Sequence, residues 1–142
     1  RAALDMIAAE GIEAVWARHA TLARAVWAAA EEWGRAGPLE LNVADPAIRS
    51  NAVTTIRLAA PGARDLRRWV TDHAGLTLGI GVGMATPEDP EASGIFRIGH
   101  MGHVNAQMVM GALGAIDAGL KALSIPHGEA ALAAAAAVIA EG

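Results

Sequence analysis

Apolar positions recur at three- and four-residue steps through Ile12, Val15, Trp16, His19, Ala23, Val26, Trp27, Ala30 and Trp33. That rhythm predicts a helix with one buried stripe, while Glu13, Arg24 and Glu31 fall on the wet side. Gly34 and the Gly37-Pro38 pair end it. Leu4, Ile7 and Ala8 carry the same helical spacing at the start of the chain. Residues 39–43 and 52–58 read as strands, the second rich in β-branched side chains, with Asp45-Pro46 turning between them. Pro61-Gly62 opens a helix whose inner side takes Leu66, Trp69, Val70 and His73, and Gly75 stops it. A short strand at 76–80, a loop at 81–94 and another strand follow. Val104, Met108, Ala112, Leu113, Ile116, Leu120 and Leu123 then form one face of a helix, which Pro126 separates from an alanine-rich helix over 128–140. The fold class expected is α+β, with a small mixed or antiparallel sheet covered by helices on one face.

Residues 94–102 read Gly-Ile-Phe-Arg-Ile-Gly-His-Met-Gly and place one arginine in a short apolar strand. Alternation sends Phe96 and Ile98 to one face and Ile95, Arg97 and Gly99 to the other. A guanidinium among apolar neighbours needs an anionic partner, and its planar fork suits a carboxylate. Gly99 leaves space beside it. The alternative from spacing alone is an arginine reaching to solvent from an edge strand, and both readings stand at this point.

Composition narrows the function classes. A chain of 142 residues, 54% apolar, is large enough for one domain with a real core. A net charge of -4 gives no electrostatic footprint for nucleic acid. No apolar run approaches the ~20 residues of a membrane span. With no cysteine, disulfides and thiolate chemistry are excluded, which fits a reducing compartment, and a cytoplasmic location is expected. The chain opens on Arg1, already inside a helical pattern, and is expected to be a segment of a longer protein.

Gly79-Ile80-Gly81-Val82-Gly83 is not a phosphate loop, because Pro87, Glu88, Asp89 and Pro90 follow where a helix would have to open. Gly81 and Gly83 instead mark the freer end of a loop that prolines restrict at the other end. His100 and His103 have metal-pair spacing but no third ligand nearby, so no metal site is expected. His100 and Gly99 are candidates for lining a cleft beside Arg97. Lys121, the chain's one lysine, follows Asp117 by four residues, the order of a solvated ion pair rather than of a desolvated Schiff-base amine. No catalytic lysine is therefore expected in this chain. Gly111, Gly114, Ala115 and Ala118 form a small-residue ridge suited to close packing.

The run Phe96-Arg97-Ile98-Gly99-His100-Met101-Gly102, with Asn105, Gly111-Ala112-Leu113-Gly114, Ala118-Gly119-Leu120-Lys121 and Ile125-Pro126-His127-Gly128, resembles the C-terminal domain of class V pyridoxal-phosphate aminotransferases. The likeness is to the alanine–glyoxylate and serine–glyoxylate branch. It extends more loosely to residues 11–19 and 49–55. This resemblance implies that residues 1–142 are the C-terminal small domain of a fold-type I enzyme whose large pyridoxal-phosphate-binding domain lies outside this chain. It implies that Arg97 grips the carboxylate of amino-acid and oxo-acid substrates, and that the cofactor lysine belongs to the large domain. A mobile loop at Gly81 and Gly83 near the active-site mouth, and a homodimer, are implied in the same way. The reaction implied moves an amino group from alanine or serine to glyoxylate, and the isolated fragment is expected to be inactive. A desulfurase or lyase of the same class would use the same arginine. Outside the superfamily, the alternative is a non-catalytic α+β module for amino-acid binding or dimerisation. A carboxylate of the chain itself clamped onto Arg97 would favour that module.

Overall fold

The computed structural model describes residues 1–142. Helix α1 (Ala2–Glu10) breaks at Gly11, whose φ of 88° suits a residue without a side chain, and α2 (Ile12–Gly34) continues from there. Strand β1 (Glu40–Leu41) leads through a short 3-10 turn (Pro46–Ile48) to β2 (Val53–Arg57). Then come α3 (Gly62–Ala74), β3 (Ile95–Gly99), α4 (Ala106–Ala122) and α5 (Ala131–Glu141). The strands form one antiparallel sheet in the order β1-β2-β3. The α+β architecture read from the apolar pattern is the one observed.

Register fixes the two faces. Thr54 pairs with Ile98 and Ile56 with Phe96, so these side chains share the face beneath the helices. Ile56 and Phe96 are fully enclosed there with Trp33, Leu66, Leu113 and Leu120. Burying each large side chain is worth about 1.5–3 kcal/mol. Val53, Thr55, Arg97 and Gly99 stand on the opposite face, outside the core cluster. Helix α5 packs along α2, and α3 packs on α4. The α3–α4 contact depends on Gly119, where a Cβ would lie 2.7 Å from Leu66 Cδ1 and 3.0 Å from the Trp69 ring.

Several local expectations need correcting. Trp16 is 63% exposed, while its neighbour Val15 is the buried residue of that turn. His73 is exposed too; it stacks on Trp69 at 4.8 Å with its Nδ1 against the Trp69 carbonyl, outside the core. On α4, Met108 faces outward and Val109 inward. The ridge assigned to close packing is open, since a Cβ at Gly111 or Gly114 would meet nothing, and the tight approach falls at Gly119 instead. The strand expected at 76–80 reduces to a single bridge between Gly79 and Arg97.

Asp117 closes the bottom of the core. It is buried, accepts from Trp33 Nε1 at 3.1 Å, and lies 2.8 Å from the Lys121 ammonium. Burial opposes its charge, but the hydrogen bonds from Lys121 and Trp33 prevail and hold its carboxyl below the usual range.

Candidate functional site

Arg97 occupies the middle of β3, with Thr55 opposite it on β2 and Gly79 bridged to it on the other side. Two backbone bonds of 2.9 Å join Gly79 and Arg97 in both directions, so Arg97 has a partner on each flank and is not an edge residue. The reading of an arginine escaping from a free edge is therefore set aside. Its stem lies across the bare backbone of Gly79, where a Cβ would stand 3.1 Å from Arg97 Cβ and 3.3 Å from Nε. Glycine at 79 is thus what lets the arginine lie along the sheet.

The guanidinium borders a cleft of about 300 Å³, together with Val53, Leu76, Gly79, Gly99 and Met101. Arg97 makes no ion pair within the chain. Every acid that forms one does so elsewhere: Glu10 with Arg18, Glu31 with Arg49, Glu32 with Arg35, Asp65 and Glu91 with Arg64, Asp72 with Arg68, Asp117 with Lys121. Arg97 Nε is enclosed without a hydrogen-bond partner. A buried donor left without a partner costs about 1–3 kcal/mol, more when it is charged. An unpaired guanidinium fork is chemically suited to a carboxylate. The intramolecular clamp that would have marked a structural ion pair does not form.

Gly99 borders this cleft, as expected, but His100 does not. Its ring is fully enclosed on the helix side of the sheet, where Nε2 lies 2.9 Å from Thr54 Oγ1 and Nδ1 lies 3.1 Å from the Asn51 carbonyl. Both nitrogens are engaged, so His100 and His103 make no metal pair. The physical reason is parity: position 100 follows 96 and 98 onto the buried face. Trp27 completes the cluster by donating from Nε1 to Thr54 Oγ1 at 3.0 Å. Sequence reasoning assigned Thr54 no role and Trp27 only a place in the core.

The 81–94 loop has two unlike halves. Asp89 ties the second half down: its carboxylate accepts from the backbone N–H groups of Ser93 and Gly94 and from the Ser93 hydroxyl, each at 2.8 Å. Those bonds hold the Asp89 carboxyl below its usual range. Arg67 donates to the Ile95 carbonyl close by. In the first half Val82 is exposed and Gly83 takes a φ of 72°, while Gly81 is packed against Ala92 and Ile95. A broader hollow of about 760 Å³ lies between this loop and Arg57, and Arg97 takes no part in it.

Pyridoxal phosphate held as a Schiff base requires a lysine that can lose its proton. Lys121 does not fit: it is largely exposed, and its bond with Asp117 raises its pKa. This segment therefore offers no covalent anchor for that group.

Fold and site together define an α+β domain whose strand arginine, Arg97, borders a cleft and has no acid of its own chain paired with it. No protein-family model matches the chain. It is 36% identical over 129 residues to a serine–glyoxylate aminotransferase of Arabidopsis thaliana, covering 89% of this chain and 29% of that one. It is 35% identical over 121 residues to a serine–glyoxylate aminotransferase of Hyphomicrobium methylovorum, covering 85% of this chain and 28% of the relative. The crystal structure of a pyridoxamine-pyruvate aminotransferase from Mesorhizobium loti superposes with a TM-score of 0.81 and 30% identity, over 97% of this chain and 33% of that one. The chain belongs to the class V pyridoxal-phosphate-dependent aminotransferases. It spans less than a third of the curated relatives it matches and corresponds to a small domain of the solved enzyme. No helix is long and apolar enough to cross a membrane.

Proposed function

We propose that this chain is the small-domain segment of a transaminase acting between an amino acid such as serine or alanine and glyoxylate. In this reading Arg97 supplies the fork that receives the substrate carboxylate. The observation that carries it is a strand arginine with an enclosed, unpartnered Nε beside a cleft, in a chain whose relatives are glyoxylate aminotransferases. Pyridoxal phosphate, when bound, supplies the electron sink for amino transfer. Its covalent anchor is assigned to a large domain upstream, because Lys121 is committed to Asp117.

Within this segment the work is binding and orientation. Gly79 gives the Arg97 stem its path, the β2–β3 ladder fixes its height, and Val53 and Met101 wall the cleft with apolar surface. A low-polarity wall strengthens a charge-assisted fork to a carboxylate. A homodimer and a moving first half of the 81–94 loop complete the proposal.

The test uses the full-length protein, supplied with pyridoxal phosphate, serine or alanine, and glyoxylate. Glyoxylate-dependent loss of the amino acid is expected, with a raised KM for the carboxylate substrates in Arg97→Lys, whose point charge cannot form the fork. Desulfuration or elimination in place of amino transfer would overturn the reaction assigned. An unchanged KM in Arg97→Lys and Arg97→Ala would overturn the role of Arg97.

A further inference from the structure

Three side chains from three elements meet beneath the sheet and make a directed chain of hydrogen bonds. Trp27 comes from α2, Thr54 from β2, and His100 from the residue after β3. Only one proton arrangement satisfies the neutral set. The indole nitrogen can only donate, and the Asn51 carbonyl can only accept. His100 must therefore carry its proton on Nδ1, leaving Nε2 bare to accept from the Thr54 hydroxyl, whose oxygen accepts from Trp27. Burial lowers the His100 pKa, which keeps the ring in the neutral form the chain of bonds requires.

Its place in the fold is specific. Thr54 adjoins Thr55, the partner of Arg97, and His100 adjoins Gly99, the end of the β2–β3 ladder. Above the sheet a Cβ at Gly99 would meet nothing, and Gly102, which takes a φ of 83°, is held from α2 by Arg18 and His19. Two glycines so close together make the strand end depend on side-chain ties for its conformation. The His100 backbone N–H bonds to the Ala52 carbonyl at 3.0 Å, and its ring ties the residue that follows the ladder to Thr54 and Asn51 beneath the sheet. Arg49 stacks over the Trp27 ring at 5.5 Å and closes the outer end of the cluster.

We propose that Trp27, Thr54 and His100 are positioning residues for Arg97, holding the glycine-flanked end of β3 so that the guanidinium keeps its direction over the cleft. The inference rests on Arg97 binding a carboxylate. They act through the strand pair and touch no substrate.

The full-length enzyme carrying Thr54→Val tests this, because valine keeps the shape and removes both the donor and the acceptor. KM for the amino acid and for glyoxylate should rise about five- to tenfold, with kcat changed less than about twofold. Competitive inhibition by propionate, a carboxylate without an amine, should weaken in parallel, while inhibition by ethylamine, an amine without a carboxylate, stays put. Thr54→Ser should restore KM. Trp27→Phe, which deletes only the outermost donor, should raise KM by about twofold and carries the test if Thr54→Val does not fold. An unchanged KM, or equal losses toward propionate and ethylamine, would overturn the positioning role. Arg97→Ala run alongside separates the two ideas. If that variant keeps its KM, the carboxylate reading itself falls; if only Thr54→Val and Trp27→Phe keep theirs, the positioning role falls alone.

Discussion

Arg49, in the turn ahead of β2, and Arg97, in the middle of β3, belong to the same sheet and meet opposite circumstances. Arg49 donates to the carbonyls of Val43 and Ala44 and to Glu31, and lies over the Trp27 ring. Its side chain is only 10% exposed and is well supplied with partners by its own chain. Around Arg97 the same chain offers Gly79, Gly99, Val53 and Met101, none of which carries an acidic side chain. One guanidinium staples a turn; the other is kept free of internal acids. The difference separates an arginine bonded into the fold from one left without an acid of its own chain.

The strongest way to break this contrast is to truncate each arginine in the full-length protein. Arg97→Ala should lower kcat/KM for carboxylate substrates by about 10- to 150-fold, the worth of about 1.5–3 kcal/mol of charge-assisted bonding, and leave the melting temperature in place. Arg49→Ala should do the reverse. Its loss should cost about 1–3 kcal/mol of stability, read as a lower urea midpoint at constant m, with KM nearly unmoved. Glu31 is half exposed and contributes the smaller part of that loss. If Arg97→Ala melts early while its KM holds, the two arginines are of one kind and the contrast fails.

Acid sharpens the comparison from the side of the carboxylates. Asp117 and Asp89 are engaged inside the chain, and both have folded pKa values below their ordinary ones. A depressed carboxyl pKa stabilises the fold above the unfolded value near pH 4, and the benefit drains away as pH falls through the folded value. Thermal melts at pH 6 and pH 3 should show this loss, and Asp89→Asn should flatten the dependence. An Asp89→Asn protein with the parent's acid profile would remove Asp89 from the account. The smallest effect belongs to Gly79→Ala, whose new Cβ presses on the Arg97 stem. KM should rise about two- to fivefold, the cost of one off-rotamer arginine, with stability little changed.

Much of this was legible in the chain itself. The α2 stripe from Val15 to Trp33, the Gly75 stop of α3 and the face assignment of Arg97 all follow from period and parity. Parity also assigns His100 to the buried face with Phe96 and Ile98, so its enclosure could have been read from position alone. Its partners could not. Trp27 and Thr54 lie 73 and 46 residues away, and no local rule pairs them with it. The exposure of Trp16 was equally out of reach, since the helical spacing admits both Val15 and Trp16 to the stripe and only Val15 is buried. The Gly79–Arg97 bridge is a tertiary event that a glycine-rich stretch does not announce.

Gly119 carries a consequence for how such a domain drifts over time. With Leu66, Trp69 and Val70 pressed against its bare backbone, any larger residue there must displace side chains of α3. Volume gained on α4 is therefore most readily matched by volume trimmed from α3. Related chains with a larger residue at 119 should show a smaller one at 66.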